Sequence, residues 1–140
     1  MYGIIERNTN VNIQYKNQSD LIITTDLFVM NPNQTEIYEF CGTYSGITIP
    51  KAVKIIKERA FENIGITRMN FEIDSQLLEI ENYAFINCSK LNSLDFSQTI
   101  LNDIGIESFK NCTILTTVTF ALTNLAVSYT HLTLPTTERV

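Results

Sequence analysis

The chain has 140 residues, a net charge of −5 and 44% apolar residues, a one-domain length with too many apolar side chains for wholesale disorder. Its Lys and Arg residues are scattered, which excludes the clustered basic surface that nucleic acid binding requires. No segment has the uninterrupted apolar length to cross a bilayer as a helix.

In chain order, residues 1–10 carry Glu6, Arg7 and Asn8 where an export signal needs an apolar run, so no signal segment is expected in this chain. Either the protein is intracellular or its true N-terminus lies upstream. Val11, Ile13 and Tyr15 alternate with polar residues and predict a strand. The apolar run 21–30 predicts a second strand, bounded by Asp20 and the Asn31-Pro32 turn. Joined through 16–20, the two would close the N-terminal edge of a sheet. Further degenerate repeats are the rival reading of residues 1–36. Lys51, Lys54, Lys57 and Arg59, interrupted by Glu58, read as the wet face of a helix.

From there the chain repeats. Ile56, Ala60, Phe61, Asn63, Ile64, Ile66, Met69 and Phe71 match Ile80, Ala84, Phe85, Asn87, Cys88, Leu91, Leu94 and Phe96, and each of the latter recurs 24 residues on as Ile104, Ser108, Phe109, Asn111, Cys112, Leu115, Val118 and Phe120. The first unit is one residue shorter after Ile64. A half-unit of Cys41, Tyr44, Ile47 and Ile49 precedes them. Ile80, Ala84, Phe85 and Cys88 have the spacing of one helix face. Leu94 and Phe96 have the spacing of one strand face. Each unit is therefore expected to be a short helix, a turn and a short strand.

One unit cannot fold alone. Its six or so large apolar side chains contribute roughly 1.5–3 kcal/mol each when buried, against about 1–2 kcal/mol per residue for ordering the backbone. Stacked units merge their apolar ladders into one core. The expected class is α/β: a leucine-rich-repeat solenoid with short parallel strands on one side and short helices on the other. Repeats would fill 37–126. Ala60, Ala84 and Ser108 share a position where small residues let coils approach closely.

The order Ala-Phe, Asn-Cys, Leu and a strand closing on an apolar pair, as in 83–96 and 107–120, resembles the BspA-type leucine-rich repeats. Residues 47–61 resemble the same family's strand-Pro-Val-Ile-Ala-Phe order. The resemblance covers about 39–120. It departs at Ile64 in place of Cys, Ser108 in place of Ala and the residue missing after Ile64. It implies a curved solenoid and a cell-surface or secreted adhesion protein that contacts host, matrix or cell-surface proteins. An intracellular protein-interaction scaffold is the alternative, because fold alone does not fix function.

After Phe120 the register is lost: a fourth unit meets Ser128 and Thr133 where apolar residues belong. The run 127–140 resembles translated sequencing-adaptor read-through, so a non-native tail is expected after about Ala126. An ordinary polar tail is the other reading.

Little here supports catalysis. The single histidine, His131, lies in that tail, so no Ser-His-Asp or Cys-His set is expected. No carboxylate pair or phosphate-cradling glycine loop stands out. No enzyme activity, cofactor or metal is expected. Cys41, Cys88 and Cys112 share one repeat position and read as a ladder of buried thiols, with Cys88 and Cys112 near enough to bridge if oxidised. Asn17, Asn33, Asn87 and Asn111 stand in glycosylation sequons. For Asn87 and Asn111 a structural role in left-handed backbone is the preferred reading, because Asn63 fills the same slot without a sequon.

The candidate ligand-binding face follows from alternation along the strands. Thr48, then Arg68, Asn70 and Glu72, then Ser93, Asp95 and Ser97, then Thr117 and Thr119 point away from the core. Side by side they form the one extended surface predicted for a protein partner.

Overall fold

A computed structural model describes residues 20–121. The strand expected at Val11–Tyr15, the linker before Asp20, Asn17 and the tail 127–140 with His131 lie outside these residues. Ten strands follow in order: β1 (Ile22–Ile23), β2 (Phe28–Met30), β3 (Glu36–Phe40), β4 (Gly46–Ile49), β5 (Ile55–Ile56), β6 (Arg68–Phe71), β7 (Glu79–Ile80), β8 (Ser93–Phe96), β9 (Asp103–Ile104) and β10 (Thr117–Phe120).

The strands form two sheets. In one, β4, β6, β8 and β10 are neighbours in that order and all parallel. These are the strands that alternation predicts. In the other, β3, β5, β7 and β9 run parallel, with Ile37, Ile56, Ile80 and Ile104 in one row. The antiparallel neighbours β2 and β1 extend this sheet on its N-terminal side. Each coil of the solenoid thus adds one strand to each sheet, and the apolar interior lies between them.

The short helices are absent: no helix occurs among the described residues. Segments 58–63, 82–87 and 106–111 are successive turns instead. Two residues in each have left-handed backbone: Arg59 and Asn63, Tyr83 and Asn87, Glu107 and Asn111, all with φ between 53° and 65°. The hydrogen bonds give the reason. An α-helix would aim each N–H at its own chain four residues back. Here alternate N–H groups turn outward to the next coil. Phe61 N donates to Ala84 O at 2.8 Å and Asn63 N to Ile86 O at 3.0 Å. One coil on, Phe85 N donates to Ser108 O and Asn87 N to Lys110 O, both at 2.8 Å. The remaining N–H groups close three-residue turns, as in Ile86 N to Tyr83 O at 3.2 Å. The i, i+4, i+5, i+8 spacing that suggests a helix is met equally by this stepped path. The residues Lys51, Lys54, Lys57 and Arg59 consequently share no helix face. Lys57 pairs with Glu81 at 3.2 Å, and Arg59 pairs with Glu62 at 3.3 Å and lies over the Tyr83 ring.

The core is a set of ladders. Phe61, Phe85 and Phe109 stack with ring centroids 5.1 Å apart at each step. Phe40 and Phe28 extend the stack on the N-terminal side, at 5.8 and 5.4 Å. A second stack runs Phe71, Phe96 and Phe120. Ala60, Ala84 and Ser108 are buried in one row, as expected of close-approach positions. Serine is accommodated because its hydroxyl donates to Gly105 O at 2.7 Å. Gly105 itself is required by close approach, since a Cβ there would lie 2.5 Å from the Asn82 backbone nitrogen. Val53, Leu77 and Leu101 form a further buried row that the repeat pattern did not reveal.

The N-terminal part departs from expectation in three ways. The run 21–30 is not one strand: it folds at 24–27 into the hairpin of β1 and β2. The half-unit keeps its strand, with Ile47 beside Met69 and Ile49 beside Phe71. Its first two positions do not follow the repeat. Tyr44 is 52% exposed, and Cys41 joins a separate small cluster with Val29 and Tyr38. The stack position expected of a repeat is held instead by Phe40, whose N–H donates to Ala60 O at 3.0 Å.

Candidate functional site

The exposed side of the four-stranded sheet is set by strand alternation. Ile47, Ile49, Met69, Phe71, Leu94, Phe96 and Val118 point inward and are buried. Their neighbours point out. The register places Arg68, Ser93 and Thr117 in one row, Thr48 beside Asn70, and Asp95 beside Thr119. Glu72 and Ser97 directly follow β6 and β8. The structure therefore brings eight of the nine candidate residues to one face, and Ser97 stands in the turn at the end of β8. Ser93 and Ser97 are half-buried and the other seven exposed.

Two of the three charged groups on this face also hold backbone. Glu72 Oε1 accepts from Lys51 N at 2.8 Å, and Asp95 Oδ1 accepts from Ser97 N at 2.9 Å. Arg68 lies over Gly46, where an added Cβ would come within 3.3 Å of its guanidinium carbon. The surface is mostly hydroxyl and amide, with Arg68 and Glu72 as its long side chains, and is preformed by the ladder beneath it. Such a surface can hydrogen-bond a protein partner; it holds no nucleophile–base pair.

A cleft of about 280 Å³ adjoins this face at β4, lined by Asp26, Phe28, Tyr44, Gly46, Ile47, Thr48, Pro50 and Glu72. Sequence reasoning missed it. The usable signal was the misfit of Tyr44, an aromatic residue where the other units carry Leu91 and Leu115.

The other sheet carries an acidic row. Glu36, Ile55, Glu79 and Asp103 are register neighbours. Burial, then Glu81 and Asp103, raise the Glu79 carboxyl above its ordinary value, with Lys57 opposing. Tyr38 donates to Glu36 Oε1 at 2.8 Å, and its phenol is pushed up to about 12, first by burial and then by that carboxylate. Tyr38 and Glu36 are tied to one another, and Glu79 is half-buried.

The thiols divide. Cys88 and Cys112 occupy the same position on successive coils, donating to Phe61 O at 2.9 Å and Phe85 O at 3.1 Å. Contact with the Cys112 thiol, and then burial, push the Cys88 thiol above its ordinary range. Cys41 is buried elsewhere, so the expected ladder of three contains two. No group of His, Cys, Asp and Glu among the described residues is arranged to hold a metal ion. No described helix is long and apolar enough to cross a membrane.

The asparagines form a ladder of their own. Asn63, Asn87 and Asn111 are all left-handed, and Asn111 Nδ2 donates to Asn87 Oδ1 at 2.8 Å. Left-handed backbone costs most residues roughly 1–2 kcal/mol. Asn87→Ala is expected to lose about that much in urea denaturation, and Asn87→Gly less than half of it. Equal losses would show that the side-chain bond, and not the backbone conformation, is what matters.

No curated protein and no solved structure matched the chain. A family model, BspA type Leucine rich repeat region, matches residues 28–131 in six copies. With parallel ladders repeating every 24 residues beneath a preformed polar face, the chain belongs to the BspA-type leucine-rich repeat family.

Proposed function

We propose that the chain is a non-enzymatic protein-binding scaffold from a surface adhesion protein, and that it contacts a host, matrix or cell-surface protein through the exposed face of the four-stranded sheet. The observation that carries this is the alignment of Thr48, Arg68, Asn70, Glu72, Ser93, Asp95, Thr117 and Thr119, with Ser97 at the end of β8, on one surface whose geometry is set by the core below. A preformed surface loses little conformational entropy on binding. Arg68 supplies five donors for a partner carbonyl or carboxylate. The adhesion role rests on family membership, and the face rests on placement.

Surface plasmon resonance of the immobilised chain against a panel of purified matrix and cell-surface proteins tests both. A partner bound through this face should lose roughly tenfold or more in affinity when Arg68→Glu and Asp95→Asn are combined. Asn keeps an acceptor for the Ser97 N–H, so the fold should be undisturbed. Binding that ignores the double variant would move the site elsewhere. A panel without a binder would remove the adhesion reading.

A further inference from the structure

The two sheets end differently on their N-terminal side. The β1–β2–β3 meander extends the six-stranded sheet. In the four-stranded sheet β4 is outermost, and no described strand pairs with its other edge. The carbonyls of Ser45 and Ile49 face β6, accepting from Thr67 N and Glu72 N. By alternation Ile47 faces β6 as well, and the N–H and C=O groups of Gly46 and Thr48 point outward. Sheet edges are commonly blunted by lysine, proline or a covering loop. Here Gly46 adds no side chain, and Pro50 stands just past the strand. The cleft of about 280 Å³ runs against this same edge, with Phe28, Tyr44, Ile47 and Pro50 as apolar lining and Asp26 and Glu72 as acidic lining.

We infer that the outer edge of β4 is a docking site for an extended peptide segment of a partner protein, one that carries an apolar side chain flanked by Lys or Arg. The segment adds a strand to the sheet through the four outward backbone groups of Gly46 and Thr48. Its apolar side chain fills the cleft against Phe28, Tyr44 and Ile47. Its basic side chains face Asp26 and Glu72 on a chain of net charge −5. A second copy fits less well: edge-to-edge pairing about a two-fold axis would set Asp26 and Glu72 against their own equivalents. The inference rests on the reading of the chain as a protein-binding scaffold and specifies how a partner engages it.

The test uses the full chain and a labelled peptide, Lys-Thr-Val-Lys-Val-Thr-Lys, with two controls: Glu for every Lys, and N-methylation of alternate amides. Amide hydrogen exchange should be fast at Gly46 and Thr48 in the free chain and roughly tenfold slower with saturating peptide. In fluorescence anisotropy both control peptides should bind roughly tenfold more weakly, as should the Lys peptide to Thr48→Pro. That variant loses an outward N–H together with the Thr48 hydroxyl, and proline is tolerated on a free edge; Thr48→Val, which loses the hydroxyl alone, should bind the Lys peptide within about twofold of the native chain. Protection of Gly46 and Thr48 without peptide would mean that another part of the chain or a second copy already occupies the edge, and would overturn the inference. So would binding that tolerates N-methylation, even if Thr48→Pro failed to fold. Either result leaves the scaffold reading standing, since that reading is decided by the protein panel and the Arg68 and Asp95 variants.

Discussion

Phe85→Ala is expected to destabilise the protein by about 4–5 kcal/mol, near the upper end for removal of a buried aromatic side chain. Phe85 is fully buried and stacks on both sides, against Phe61 and Phe109, with centroids 5.1 Å away and interplanar angles of 6° and 11°. The rings above and below are held by their own coils, whose backbones are tied together at Phe61 N–Ala84 O and Phe85 N–Ser108 O. Neither ring can sink into the vacated space, so the cavity stays open. A domain of this size has a total stability of roughly 5–15 kcal/mol, so the variant should be partly unfolded in water or nearly so. Urea denaturation followed by circular dichroism would measure the change. Phe109→Ala, with a single stacked neighbour among the described residues, should cost about 1 kcal/mol less. A loss below about 2 kcal/mol at Phe85 would mean that the coils can collapse onto one another.

Ala84→Leu should be nearly as damaging for the opposite reason. Ala84 is fully buried between Ala60 and Ser108, and its carbonyl accepts the Phe61 N–H at 2.8 Å. Three added carbons have no free space in this row and must push the coils apart. That separation breaks the coil-to-coil bonds on either side. Overpacking of this kind costs typically about 1–3 kcal/mol, and more where hydrogen bonds are lost with it; about 3–4 kcal/mol is the expected loss. Ala84→Ser should cost under about 1 kcal/mol, because the Ser108 hydroxyl already finds a backbone acceptor at the equivalent position. An unchanged melting temperature for Ala84→Leu would contradict the register of the whole repeat.

Much of this was legible in the sequence because the large inward side chains recur at fixed spacing. Ile80, Ala84, Phe85, Cys88, Leu91, Leu94 and Phe96 name the core of a coil without any structure. Alternation of Leu94 and Phe96 with Ser93 and Asp95 likewise placed the exposed face. The path between those points was less legible. Spacing at Ile80, Ala84 and Phe85 is compatible with a helix or a stepped series of turns. The deciding feature is left-handed backbone at Tyr83 and Asn87, and only the asparagine advertises it. The strands β5, β7 and β9 are two residues long, too short to show a period. At the N-terminal end no regular repeat guided the reading, so the hairpin within 21–30, the role of Phe40 and the exposure of Tyr44 all needed the structure. The backbone duties of Glu72 and Asp95 depend on turns that their own sequence neighbourhood does not announce.

The direction of the coil-to-coil hydrogen bonds has a mechanical consequence. Bonds such as Asn63 N–Ile86 O and Asn87 N–Lys110 O lie along the solenoid axis. A pull that separates the two ends of the array along that axis stretches these bonds one layer at a time and leaves distant layers intact. Each 24-residue coil that peels away lengthens the tether by about 80 Å, while the remaining coils keep their exposed faces. Under tension the chain would yield in steps, and each released coil would lower the force on whatever the rest of the array is holding.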